Sequence, residues 1–154
     1  VSDEVDEELP PFNLVGTVAP VALGGAVGTL LRALILDAAT TSGSWHAAAG
    51  FHGAPNLDAS WLQRAPWSLL LINTLGVFGA AWLLWGPLRH RSPDNRLRLF
   101  TVTGLLGGFT SYSSLFVDLA WIKQASLLGA VLTVVVALAA GVGAAALGVR
   151  VATR

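Results

Sequence analysis

Between about Leu99 and Ile122 an apolar run is interrupted at its centre by Gly104-Leu-Leu-Gly107-Gly108-Phe109-Thr110-Ser111-Tyr112-Ser113-Ser114. Two adjacent glycines and then five hydroxyl side chains in a row suit neither a soluble amphipathic helix nor a plain membrane helix. Glycine costs a helix interior about 1 kcal/mol relative to alanine. A backbone opened inside hydrocarbon must find other partners, so it persists only where protein or a polar cavity covers it. Interrupted helices at membrane depth are common sites for ions and substrates.

The membrane setting follows from composition. Of 154 residues, 54% are hydrophobic and 12% charged, and the mean hydropathy is +0.66. Four apolar runs reach the roughly 20 residues that one crossing needs: Leu14–Leu36, Pro66–Gly86, Leu99–Ile122 and Ala125–Val149. Each is apolar nearly all round, which excludes a helix lying on a surface. The expected fold is an all-α integral membrane domain over residues 14–150, with four transmembrane helices and the third broken at mid-membrane. Residues 1–13 read as a disordered acidic tail, with none of the basic character of a signal peptide. Residues 37–65 read as a long loop with a short interfacial helix at Asp58–Arg64. The link at Lys123–Gln124 is short enough to make spans three and four an antiparallel hairpin. Trp67, Trp82, Trp85 and Trp121 lie near span ends, where interfacial tryptophans belong.

Charge narrows the function classes. Nine basic and nine acidic residues balance, which gives no footing for nucleic-acid binding. Without cysteine there are no disulfides or thiolate metal sites. His46, His52 and His90 lie in loops without metal-ligand spacing and read as solvated. No nucleophile–base pair or phosphate-binding loop is visible, so an enzyme is not expected. With four spans, Arg89, Arg91, Arg96, Arg98, Arg150 and Arg154 share one side, against Arg64 and Lys123 on the other. The positive-inside rule then puts both termini in the cytoplasm. Four short spans scarcely enclose a pore, and glycines at three- and four-residue spacing favour close helix contact, so an oligomer is expected.

Three motifs then carry a resemblance. Span one holds Gly24-Gly25-Ala-Val-Gly28-Thr-Leu-Leu-Arg32, span two Asn73-Thr-Leu-Gly76-Val-Phe78-Gly79, and span three Gly107-Gly108-Phe109-Thr110-Ser111-Tyr112-Ser113-Ser114-Leu115. In this order the chain resembles, over residues 20–150, the Fluc/CrcB family of small fluoride channels, with its GGxxGxxxR, NxxGxFxxG and GGxTTFSTF signatures. One glycine of the second motif is displaced. The resemblance implies a dual-topology, antiparallel two-fold dimer in a prokaryotic plasma membrane, with two pathways for fluoride. It also implies a structural sodium ion at the dimer centre, held by the backbone carbonyls of Gly107 and Thr110 from each subunit.

Fluoride is strongly hydrated, and a channel must replace its water with donors. Asn73 offers an amide, Thr110, Ser113 and Ser114 offer hydroxyls, and Tyr112 offers a ring edge and a hydroxyl. Phe78 matches a family aromatic position. Leu115 stands where the family has a second phenylalanine, which puts one fluoride station in doubt. Arg32 matches the family's span-one arginine, and Asp118 falls where the family often carries a glutamate.

Plainer readings stand beside these. Gly107-Gly108 could be a helix contact with Gly104. The serines could bond carbonyls one turn back. Asn73 could be interhelical glue, Tyr112 core packing, and Arg32 could snorkel to the interface. The charge bias and Leu115 favour one half of a heterodimer with a paralogous antiparallel subunit, non-conducting or half-conducting by itself. A proton-coupled exporter of the small multidrug type is a weaker alternative, because span one holds Arg32 and no acid before Asp37.

Overall fold

A computed structural model describes residues 14–41 and 66–154. The predicted tail at 1–13, the helix at Asp58–Arg64, and His46 and His52 lie outside them. Most of the described residues are helical, with no strand among them. A π-helical turn at Leu14–Val18 leads into α1, Ala19–Thr41. Then come α2, Trp67–Trp85, and a composite segment α3 over residues 96–109. Segment α3 starts as one turn at Arg96–Arg98, runs as a π-helix over Leu99–Leu106 and tightens at Gly107–Phe109. Helix α4 is Tyr112–Ala125 and α5 is Leu127–Ala152.

Among the described residues, three helical stretches are long and apolar enough to cross a membrane: Val15–Ala38, Trp67–Trp85 and Leu127–Ala152. The run expected as a third span, broken at its centre, is divided between α3 and α4 by Thr110 and Ser111, which are not helical. Several boundaries differ from expectation by a few residues, and two have a plain physical reason. Helix α1 carries Asp37 inside it and ends at Thr41, because Ala38 and Ala39 propagate a helix readily. The turn expected at Lys123–Gln124 falls instead at Ser126, whose hydroxyl accepts from the Gly129 amide at 3.0 Å and starts α5.

Glycines decide how the helices meet. A methyl group added at Gly28 would overlap the Leu105 carbonyl and fall 2.8 Å from the Phe109 amide nitrogen. Added at Gly104, it would lie 2.6 Å from the Val21 carbonyl, and at Gly108 it would overlap the Gly25 carbonyl. Thus α1 and α3 run side by side in the same direction with their backbones nearly touching, as small residues permit. Helices α2 and α5 form a second parallel pair, where Gly148 faces the backbone of Phe78 and Trp82. Leu70, Leu115, Leu119 and Ala130 make a small core that joins α2, α4 and α5. Most other large apolar side chains point outward, among them Leu30, Leu34, Leu138 and Val142. That surface suits lipid: in hydrocarbon, apolar faces need no burial and packing carries helix association. Trp67 and Trp85, the first and last residues of α2, are both exposed.

Candidate functional site

The break between α3 and α4 is the polar centre of the molecule. Segment α3 stops because Thr110 turns to extended backbone, φ −80° and ψ 148°. Its amide and its hydroxyl both donate to the Leu106 carbonyl at 3.0 Å. The next residue leaves the helical ladder altogether. The Ser111 amide donates to Asn73 Oδ1 at 2.8 Å, and Asn73 Nδ2 donates back to the Ser111 carbonyl at 3.3 Å. Asn73 is 6% exposed. One buried side chain therefore takes both peptide groups of Ser111, as a neighbouring strand would. From the other side, Arg32 Nη1 donates to the Thr110 carbonyl at 3.3 Å. Gly76 leaves room for this backbone path, since a methyl there would overlap the Thr110 side-chain methyl.

Helix α4 begins again at once. The Ser114 amide donates to Ser111 Oγ at 3.3 Å, which makes Ser111 the N-cap of α4. Ser111 Oγ also lies 2.8 Å from Ser114 Oγ and 3.3 Å from Ser113 Oγ. These hydroxyls gather at the positive end of a 14-residue helix, where partial charge favours anions.

The break releases backbone groups that a continuous helix would consume. In an α-helix the Gly107 carbonyl would accept from the Ser111 amide, and that amide is held by Asn73. The Thr110 carbonyl would accept from the Ser114 amide, and that one is held by Ser111 Oγ. The Tyr112 and Ser113 amides likewise start α4, so the four carbonyls from Gly107 to Thr110 are relieved of helix duty at the negative end of α3, close to hydroxyls and amides at the positive end of α4. Gly108 accepts instead from the Thr29 hydroxyl at 3.4 Å, and Thr110 from Arg32. A single interruption presents cation-type ligands on one side and anion-type donors on the other.

The residues singled out in the sequence divide accordingly. Arg32, Asn73, Thr110, Ser113 and Ser114 meet at or beside the break. Tyr112 is 52% exposed. It shares a small cleft with Asn73, Thr74, Val77 and Leu115. Phe78 is not part of this group: it follows Asn73 by five positions, about 140° round α2, and its carbonyl faces Gly148. Asp118 is buried one turn beyond Ser114 on α4. Leu115 is buried in the α2–α4–α5 core, whereas Phe116 is 66% exposed. Gly107 is exposed, with nothing within 4 Å of where a methyl would stand. Ser111, not among the pathway donors expected from sequence, is the hub. The pattern that could have revealed it is Ser111-x-x-Ser114 at the start of a helix, an N-cap spacing.

Comparison with known proteins agrees with the three motifs. The family described as CrcB-like protein, Camphor Resistance (CrcB), matches residues 19–149. The chain is 39% identical over 108 residues to Fluoride-specific ion channel FluC 1 of Cutibacterium acnes, spanning 66% of this chain and 59% of that protein. It is 33% identical over 112 residues to Fluoride-specific ion channel FluC of Agrobacterium fabrum, spanning 73% and 75%. It is 34% identical over 154 residues to Fluoride-specific ion channel FluC 2 of Leifsonia xyli subsp. xyli, spanning 94% and 92%.

Proposed function

The chain belongs to the CrcB family, and on that premise we propose that it is a fluoride-selective channel of a prokaryotic plasma membrane. It conducts passively and catalyses no covalent chemistry. Two copies, or this chain and a paralogous one, pack antiparallel. Each crosses the membrane four times, and the α3–α4 unit is the crossing broken at mid-membrane. The observation that carries the reading is the break itself: Asn73 and Arg32 hold two residues of backbone open beside the hydroxyls of Ser111, Ser113 and Ser114.

The anion's lost water is replaced by these donors and by Tyr112. Asn73 keeps one amide hydrogen beyond the one given to Ser111, and it opens with Tyr112 onto the same cleft. The inside-negative membrane potential drives the anion outward, at about 2.3 kcal/mol per charge per 100 mV, and so lowers cytoplasmic fluoride. The exposed, uncrowded Gly107 supports a second subunit packed against this face.

The donor set also fits a sodium ion. Small hard cations take oxygen ligands, and the Gly107 and Thr110 carbonyls are among the four that the break relieves of helix partners. They would hold the ion between subunits, where its charge would secure the carbonyl ends.

Leu115 favours a second reading, in which this chain is the non-conducting or half-conducting member of a heterodimer. Leucine has no ring edge to offer an anion, and the Leu115 side chain is 4% exposed in the core. One experiment tests both readings: fluoride-electrode efflux from proteoliposomes, with the chain alone and with a candidate paralogue. Efflux from the chain alone supports the homodimer. Efflux only with the paralogue supports the heterodimer, and none in either case refutes the channel.

A further inference from the structure

We propose that Arg32 is the resident counter-charge of the interrupted helix: a positioning residue whose fixed positive charge holds the freed Thr110 carbonyl and does part of the work of a bound cation there. It rests on the preceding reading only for the identity of that cation, sodium.

The placement of Arg32 is the first support. Gly24, Gly28 and Arg32 stand four positions apart and so occupy one face of α1. The two glycines bring α1 against the backbone of α3 at Leu105 and Phe109. One turn further on, α3 has ended, and Arg32 reaches the Thr110 carbonyl at 3.3 Å. The same face that packs the pair thus caps the end of its partner, from another helix.

Electrostatics is the second. The last carbonyls of a helix carry partial negative charge, and cations are favoured beside them. At membrane depth that charge cannot be left to water. A guanidinium is itself costly there and is kept only where it finds partners. Each therefore offsets the other's burial. Asn73 satisfies Ser111 with neutral hydrogen bonds, so Arg32 is the group that brings net charge to the break.

The third is competition. A carbonyl oxygen has two lone pairs, so Thr110 can accept from Arg32 and still ligate an ion. A fixed cation nearby repels that ion, however, and without it the ion both binds more readily and matters more. Arg32 and sodium are then parallel supports of one carbonyl end.

The test measures thermal unfolding of wild type, Arg32→Gln and Arg32→Lys in detergent, at one scan rate, in sodium chloride and in choline chloride. Glutamine keeps a donor without the charge, and lysine keeps the charge. In choline, Arg32→Gln should melt roughly 3 °C or more below wild type, with Arg32→Lys close to wild type. Sodium should raise Arg32→Gln more than wild type and at a lower half-saturating concentration. Equal losses for glutamine and lysine, or no loss for glutamine in choline, would overturn the proposal. If Arg32→Gln is recovered only from sodium buffers, that is the expected result in its strongest form. If it is recovered from neither, Arg32→Lys decides: near-wild-type melting supports the charge, and its loss refutes it. If all three ignore sodium while glutamine alone melts early, Arg32 keeps its role and sodium leaves the preceding reading. Fluoride flux does not enter, so a failed efflux assay does not bear on the result.

Discussion

Asn73 and Ser111 show how two residues replace a stretch of helical ladder. The Ser111 peptide is buried, and Asn73 satisfies both its donor and its acceptor. Asn73→Ala should therefore destabilise the protein by about 1–3 kcal/mol for each buried group left without a partner, as read from denaturant or thermal unfolding in detergent. Asn73→Asp is the sharper probe of conduction. It keeps the acceptor for the Ser111 amide, removes the donor to the Ser111 carbonyl and adds negative charge. A charge fixed near a fluoride path repels the ion at short range, so efflux should fall by much more than the loss of folded protein. Efflux that merely tracks the folded fraction would make Asn73 a clamp only. Asn73, Thr110 and Arg32 were legible in the sequence because polar residues inside apolar runs stand out. Ser111 was not legible as the hub, since its role depends on where the second helix starts, and that is set by Asn73, 38 positions away.

At the scale of elements, the glycines of α1 and α3 were readable as contact points, but their partners were not. Backbone approach depends on which helix lies alongside, and periodicity is silent on that. Nor does anything in Leu99–Leu106 as a sequence distinguish π from α winding. A matched pair of substitutions checks the packing. Gly28→Ala drives a methyl into the Leu105 carbonyl and should cost about 1–3 kcal/mol, as overpacking does. Gly143→Ala sits on α5 with nothing within 4 Å, and gains up to about 1 kcal/mol from helix propensity. Melting temperatures in detergent should move in opposite directions. A Gly28→Ala protein that melts no lower than wild type would mean that α1 and α3 are not in backbone contact.

For the whole molecule, orientation is the decisive quantity. Helices α1 and α3 run one way, α2 and α5 the other. The residues after α2, the start of α3 and the end of α5 therefore share one end, which gathers Arg89, Arg91, Arg96, Arg98, Arg150 and Arg154. Among the described residues the opposite end holds Lys123. Such a bias opposes insertion both ways, whereas an antiparallel homodimer needs both orientations. The chain has no cysteine, so a single reporter can be introduced without background. Asp94→Cys lies in the exposed loop between α2 and α3, and in intact spheroplasts a membrane-impermeant maleimide reaches only thiols that face outward. Near-complete protection is expected, with full labelling after lysis. That outcome demands an oppositely inserted partner for any antiparallel channel. Labelling of about half the chains before lysis would instead mean dual insertion, and this chain alone could then form the pair.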